Sequence, residues 1–400
     1  MVAGPGRLGN AWRFAFAPGT DYPFPGAALA AKLAWEGAMT LPVLDLGNDA
    51  ATRGRDHGEA LRDDIGHNID IYLTRFQKLG FAPELILAEA EKWVPRLDAH
   101  DDEFTAEMRG VAEGSGFGLP EITMLNVRYE LIISMFKRAL LNPEPGAIDG
   151  CTSFALLPEK TKSGDTLIGQ TWDWIPGVKT MVSRVRREGK TSFVCHGETG
   201  TIGGMQGVND AGVGIVINAL MCTDDGKNEY EKPFRMRVRD VLNAKHMHAA
   251  MLGVCGSNRS VSMNFIIGHA DGEAIDIEAA PDTEGYVYPQ DGVLTHSNHF
   301  CDADVTSEVV RLWPNTMYRN VRLERLFNQS QQLDEAAVHT ALSDHFGHPH
   351  SICAHVDEEE PETMQLETRN AILISLKQRK LSVTDGQPRQ NAFQEVSLAA

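Results

Sequence analysis

Residues 149–153, Asp-Gly-Cys-Thr-Ser, bring together the residue types needed for a self-made nucleophile. Cys151 follows Gly150, and glycine leaves the least bulk around its carbonyl and the widest choice of φ and ψ. A thiol so placed can attack the Gly150 carbonyl, take the acyl group onto sulfur and let water cut the chain. The product would be a new N-terminus at Cys151 with its α-amine beside its own thiol. An N-terminal amine is one recognised base for activating a nucleophile. Unperturbed thiol and α-amine pKa values of ~8.5 and ~7.7–8.0 permit proton exchange near neutrality. Taken alone, a cysteine at a strand start is more often a small buried hydrophobe.

Three further groups could serve such a thiol. Gly169-Gln170-Thr171-Trp172-Asp173-Trp174 sets an acid between two tryptophans on a strand. Desolvating a carboxylate is costly without donors, and an α-ammonium at Cys151 would be a fitting partner. The alternative is that Asp173 caps the Ile-Pro-Gly turn that follows. Asn218 lies deep in the apolar run 213–220 and needs a hydrogen-bonding reason to be there. Donating to a developing oxyanion is one reason, and a satisfied core amide is the other. His296-Ser297-Asn298-His299 follows an apolar strand, so Asn298 could be a second oxyanion donor oriented by the histidines, or the four could form a polar loop.

Other polar clusters read less sharply. His345, His348, His350, Cys353 and His355 suggest zinc at first sight, but their spacing matches no standard closed site, and no metal is expected. His246 and His248 fall in an expected helix, where i and i+2 do not share a face. Arg184-Val-Arg186-Arg187 reads as a solvated hairpin face that could meet a phosphate-bearing substrate.

Two different halves must position these residues. Before Cys151 the apolar spacing is helical: a short strand at 41–46, then helices over 52–76, from Pro83, over 104–112 and over 120–136. A breaker-rich loop at 137–149, centred on Asn142-Pro-Glu-Pro-Gly146, would present the bond before Cys151. After Cys151 the period becomes two. Strands are expected at 151–157, 166–174, 179–186, 191–196, 201–208 and 213–220. A helix over 234–252 follows, then strands at 260–268, 273–279, 284–288 and 293–298. Asp271-Gly272 signals a two-residue hairpin. Helices at 306–330 and 333–343 precede strands near 370–376 and 380–384. Few βαβ alternations occur, so an antiparallel α+β layered fold is expected.

Composition narrows the class. The 400 residues carry a net charge of −18, which repels nucleic acid and anionic membrane surfaces. No apolar run is long enough to span a bilayer. Six scattered cysteines without short spacing suit a reducing compartment, and no signal-peptide pattern stands at the start, so a cytoplasmic location is expected. Residues 1–40, rich in Gly, Pro and Ala, are expected to be a disordered or extra tail.

In chain order, Arg53-Gly-Arg-Asp-His-Gly58, Glu107-Met-Arg-Gly-Val-Ala-Glu-Gly-Ser-Gly116, Leu125-Asn-Val-Arg128, Asp149-to-Ser153, Gly169-to-Asp173, Asn209-to-Leu220, His296-to-His299 and Ser351-Ile-Cys353 resemble one family. It is the acyl-coenzyme A:6-aminopenicillanic acid acyltransferase (isopenicillin N acyltransferase) family of N-terminal-nucleophile cysteine hydrolases, and the likeness runs from about residue 41 to about residue 385. The resemblance implies a four-layer αββα sandwich made as a precursor and cut between Gly150 and Cys151. Residues 41–150 and 151–400 would remain one joint domain as a heterodimer. Cys151 would be nucleophile and, through its amine, base; Asp173 would orient that amine; Asn218 and Asn298 would hold the oxyanion. Gln170, Trp172, His296, His299 and Ser351 are the substrate-site candidates. Related bile-salt and penicillin V amidases usually carry arginine where Gln170 stands, which favours the acyltransferase branch. Family members often have arginine after Ser-Ile-Cys, where this chain has Ala354, so penicillin substrates are not carried across. A small amide or acyl-CoA is the implied substrate, with no cofactor. Two other classes stay open: an uncut Cys151 hydrolase using a histidine from 296–299, and a non-enzymatic binding protein of the same fold.

Overall fold

The computed structural model describes residues 41–139 and 150–399. The tail at 1–40 and the breaker-rich centre of the loop at 137–149 lie outside the described residues.

Helices fill the first half. β1 (Val43–Leu46) leads to α1 (Ala50–Ala60), capped by Asp49, whose carboxylate accepts the Thr52 N–H at 2.8 Å. α2 (Arg62–Lys78), α3 (Pro83–His100), α4 (Asp102–Ser115), α5 (Leu119–Asn126) and α6 (Arg128–Ala139) follow. The one helix expected over 52–76 is therefore two, broken at Leu61, because its parts face different partners. α2 turns Ile65, Ile69, Tyr72 and Phe76 to the core, whereas α1 packs its glycines on α4. A Cβ on Gly54 would stand 2.0 Å from Glu107 O, and one on Gly110 would stand 2.3 Å from Ala51 O. Only hydrogen fits there. The helix expected over 120–136 likewise breaks at Val127, beside Asn126, whose side chain accepts the Ile202 N–H and donates to Gly200 O.

The second half supplies β2 (Thr152–Leu156), β3 (Leu167–Trp174), β4 (Thr180–Val185), β5 (Phe193–Glu198), β6 (Gln206–Asn209) and β7 (Val213–Ala219). α7 (Phe234–Asn243) and α8 (Met247–Cys255) replace the single helix expected over 234–252. His246 is not inside a helix; it caps α8, accepting the Ala249 N–H, and its ring stacks on His248. Then come β8 (Met263–His269), β9 (Glu273–Ala279), β10 (Glu284–Val287) and β11 (Val293–His296). Short α9 (Val309–Leu312) and α10 (Thr316–Phe327) split the helix expected over 306–330 around Trp313 and Pro314. α11 (Glu335–Leu342), β12 (Glu367–Ser375), β13 (Lys380–Thr384) and β14 (Phe393–Ser397) complete the chain. The strand expected from 201 begins only at Gln206, because Gly203 and Gly204 take φ of +88° and +73°. Ala270-Asp271-Gly272 does join a hairpin, with three residues rather than two between the strands.

Among the described residues the strands form two sheets. One runs β1-β4-β5-β6-β7-β8-β9-β10 and the other β11-β2-β3-β12-β13-β14. Neighbours are antiparallel except β1 and β4, which pair in parallel. The long connection that a parallel pair requires runs here through the helical first half and through β2 and β3 of the other sheet. The sheets pack face to face, α7 and α8 cover the outside of the first, and α10 and α11 cover the outside of the second. This is the four-layer αββα arrangement. The larger apolar core lies between the sheets and under the N-terminal helices; Phe154, Leu156, Leu373, Leu323 and Phe327 build a second core beneath α10.

Buried ions tie the helical half to the sheets. Glu107 accepts from Arg53 at 2.7 Å and Arg239 at 3.1 Å, so α1, α4 and α7 share one charge cluster. Glu198 is paired with Arg128 and Arg235 and takes the Tyr72 hydroxyl proton; Tyr72 in turn accepts Trp174 Nε1–H at 2.6 Å. Buried charges of this kind are kept by opposite-sign pairing, though Arg235 Nε and Nη1 and Arg239 Nε have no hydrogen-bond partner among the described residues. No helix among the described residues is long and apolar enough to cross a membrane.

Candidate active site

Cys151 sits one residue before β2, fully buried at the inter-sheet core. Because side chains alternate along a strand, it shares its face with Ser153 and Ala155. On the opposing sheet stands Asn218 of β7, whose Nδ2 donates to Ser297 O at 3.0 Å, with Cys151 O and His296 O at 3.4 Å. Asn218 and Asn298 are thus brought to the same place. Asn298 Nδ2 donates to Ala219 O at 3.0 Å, the residue next to Asn218, and its backbone N–H to Thr316 Oγ1.

Arg319 of α10 joins these pieces. Its Nη1 donates to Gly150 O, to Cys151 O at 2.7 Å and to Thr152 Oγ1 at 2.7 Å, while Nη2 donates to Asn298 Oδ1 at 2.7 Å. One buried guanidinium therefore holds both carbonyls that flank the Cys151 nitrogen and orients Asn298. Sequence reasoning missed it. The available signal was its place on the stripe Thr316, Arg319, Asn320, Leu323 and Phe327, where a cation interrupts a buried helix face.

Asp173 lies near the end of β3, directly across from Thr368 of β12, with a register shift between Thr368 and Asn370. Bulges of this kind re-aim side chains next to functional sites. Thr368 donates to Asp173 Oδ1 at 2.6 Å, so the carboxylate is engaged across the sheet. The Asp173 backbone carbonyl accepts the Gly150 N–H at 3.4 Å, and a Cβ on Gly150 would stand 3.1 Å from Asp173 Oδ2. Burial pushes the Asp173 carboxyl up to about 7, against the opposing pull of Arg319 and Thr368. Cys151, Asp173, Asn218 and Asn298, all buried, and half-buried Gly150 consequently form one constellation.

The substrate-site candidates are placed unevenly. Gln170 Oε1 accepts the Ile217 N–H at 3.0 Å, a bond between the two sheets next to Asn218. Gln170 Nε2 and Asn218 Oδ1 are buried without protein partners among the described residues. Trp172 stacks on Trp174 at 6.2 Å and meets His196 edge-on, so it is built into the inter-sheet core. Ser351 donates to Cys353 O at 2.6 Å. His296 places Nδ1 on Ser297 O and Nε2 on Glu278 Oε1, both at 2.8 Å, and Asp276 and Glu278 hold it well above the ordinary histidine range. His299 places Nδ1 on Thr316 Oγ1 at 3.0 Å and Nε2 near Cys301 Sγ at 3.7 Å. Both ring nitrogens of each histidine are thus engaged by neighbours. Arg187, expected on a solvated face, is instead buried over Phe193 and donates to Thr191 O and Asn243 Oδ1.

The model of the acyl-coenzyme A:6-aminopenicillanic acid acyl-transferase family matches residues 160–390, a span that holds Asp173, Asn218 and Asn298 and begins after Cys151. The chain is 26% identical over 309 residues to the acyl-coenzyme A:6-aminopenicillanic-acid-acyltransferase 40 kDa form of Emericella nidulans, covering 75% of this chain and 81% of that one. Among solved structures it is similar to the conjugated bile acid hydrolase of Clostridium perfringens, with a TM-score of 0.46 and 12% identity over 62% of this chain and 92% of that one. It is also similar to the penicillin V acylase of Agrobacterium tumefaciens, with a TM-score of 0.41 and 15% identity over 59% and 83%.

Proposed function

The chain belongs to the acyl-coenzyme A:6-aminopenicillanic acid acyl-transferase family, and on that premise we propose that it is an N-terminal cysteine acyltransferase or amidase that cuts itself at Gly150–Cys151. The Cys151 thiol attacks the Gly150 carbonyl carbon. The C–S bond forms as the C–N bond breaks, and the thiol proton passes to the departing Cys151 amine. Water then hydrolyses the thioester and leaves residues 1–150 and 151–400 associated through the shared core. The observation that carries this reading is Arg319 Nη1 on both Gly150 O and Cys151 O, at a glycine–cysteine step lying against Asp173. A guanidinium on Gly150 O is placed to stabilise the oxyanion that develops there.

In turnover the freed α-amine takes the thiol proton, and Asp173, released from its unfavourable burial by the new ammonium, orients that amine. The thiolate attacks an amide or acyl-thioester carbonyl. Asn218 and Asn298 stabilise the tetrahedral oxyanion, and loss of one such donor costs about 2.7–4 kcal/mol of transition-state stabilisation. A thioester on Cys151 is then transferred to water or to an amine. Acyl-CoA is the donor suggested by the Emericella nidulans relative's name; Ala354 gives no charge for a penicillin carboxylate. No cofactor takes part. Six free cysteines among the described residues favour the cytoplasm.

Intact mass and N-terminal sequencing of purified protein provide the test. Two chains, one beginning at Cys151, are expected, and Cys151→Ala should remain one inactive chain. Turnover by material of full-length mass would overturn the reading.

A further inference from the structure

The segment after α11 holds a group of metal-binding side chains that acyl transfer does not use. His355 Nε2 lies 3.4 Å from His345 Nε2, and Cys353 Sγ is within 4.8 Å of the two nitrogens. The ring of His348 is centred 4.8 Å from that of His355 and 6.0 Å from that of His345. Two imidazole nitrogens on one tetrahedral zinc, each at 2.0–2.1 Å, stand about 3.3 Å apart. The His345–His355 separation, 3.4 Å, is close to that value, and the sulfur, within 4.8 Å, has to close by no more than roughly 1 Å to reach its own tetrahedral spacing.

Backbone folding explains why the sequence spacing concealed this. Cys353 N–H donates to Asp344 O at 3.1 Å, and His355 N–H to Pro349 O at 2.9 Å. These two bonds double the chain back, so a residue late in the segment faces one early in it. The ligands converge through a closed loop rather than through a short helix or knuckle, which is where the standard spacings arise.

We propose that His345, Cys353 and His355 bind one zinc ion, with His348 or a water completing the tetrahedron. On binding, the Cys353 thiol gives up its proton to solvent, and each imidazole coordinates through Nε2 while keeping its proton on Nδ1. The donor set of two nitrogens and a thiolate suits a borderline-soft divalent ion better than calcium or magnesium. The bound ion would brace the residues around Ala354, whose N–H donates to Thr368 Oγ1 at 2.8 Å, against the strand that faces Asp173. Without metal, the same two rings share one N–H···N contact. The site is independent of the identity of the nucleophile.

Full-length protein stripped with a chelator and titrated with cobalt(II) tests this. One equivalent should bind with the absorption of a cobalt–thiolate bond, and zinc should bleach it. Cys353→Ala should lose the band, and His345→Ala or His355→Ala should weaken binding at least about tenfold, as lost ligands and their supports do. The last two side chains are only partly buried, so those variants remain informative if Cys353→Ala does not fold. Absence of a thiolate band in the wild type would overturn the proposal. So would full cobalt affinity in both histidine variants, or a band that survives Cys353→Ala and vanishes in Cys301→Ala, which would move the ion to Glu278, His296 and Cys301.

Discussion

Thr368 gives its hydroxyl proton to Asp173 Oδ1 at 2.6 Å while accepting the Ala354 N–H at 2.8 Å. A threonine hydroxyl has one proton to give, so this relay fixes which carboxylate oxygen is occupied. Oδ2 is left on the Gly150 side, where an added Cβ would stand 3.1 Å away. The bulge in β12 therefore sets the orientation of the Asp173 carboxyl beside Gly150.

Thr368→Val keeps the shape and removes the relay. The buried carboxylate loses one donor, worth about 1–3 kcal/mol, and its orientation. Appearance of the chain beginning at Cys151 should slow by roughly tenfold or more, and Thr368→Ser should restore it. Timed intact-mass spectra measure both, and an unchanged rate in the valine variant would remove Thr368 from the site.

Asp173 makes the uncut chain sensitive to pH. Its carboxyl is raised from 3.8 to about 7 by burial, so the folded chain holds that proton more tightly than the unfolded one. The stability linked to it is present below 3.8 and is lost as pH rises through about 7. Uncut Cys151→Ala protein should therefore unfold at lower denaturant at pH 8 than at pH 5. Adding Asp173→Asn should shrink that difference, and identical pH responses with and without Asp173→Asn would contradict the assignment.

Local periodicity made most strands and the halves of most helices legible, and residue type together with the family resemblance singled out Cys151, Asp173, Asn218 and Asn298, which the fold brings near one another. Partner choice was not. β1 pairs in parallel with β4 across the whole helical segment, a contact that no local pattern carries. β14, Phe-Gln-Glu-Val-Ser, is a sheet edge with little apolar alternation, so it gave no strand signal. The breaks at Leu61 and Val127 answer to packing on other elements rather than to a breaker residue. Arg319 looked like one more helix cation because its ligands, Gly150 O and Cys151 O, are backbone carbonyls far away in sequence.

The glycines of α1 and α4 lie in two of the segments that carried the family resemblance, and their reason is steric. Gly110→Ala would place a methyl 2.3 Å from Ala51 O and 2.9 Å from Arg55 N, both backbone atoms that cannot swing aside. The helices must separate, at an expected cost of about 1–3 kcal/mol or more. Their separation would also strain Arg53 and Glu107, paired at 2.7 Å across the same contact. Denaturant unfolding of the uncut Cys151→Ala chain with and without Gly110→Ala measures this directly; a difference below about 0.5 kcal/mol, the range of ordinary surface changes, would mean that the contact is looser than described.

Glu278 is a buried carboxylate whose substitution should be costly. It accepts from His296 Nε2 at 2.8 Å and from the backbone N–H groups of Cys301, Asp302 and Ala303, which hold its carboxyl down at about 2. Glu278→Gln keeps the volume but turns an amide toward N–H donors and leaves the His296 imidazolium with Asp276, 4.0 Å away and itself pushed up to about 7 by burial, as its remaining acidic neighbour. Breaking a buried pair in this way costs about 3–5 kcal/mol. The stability carried by Glu278 is present above 4.5 and is lost as pH falls toward about 2. That of His296, held well above 6.5, is present below 6.5 and is lost as pH climbs through its raised value. The gap between wild type and Glu278→Gln in urea unfolding should therefore be widest between pH 4.5 and 6.5. A gap that instead grows steadily toward alkaline pH would mean that His296 is neutral, and it would return that ring to the candidates for a base.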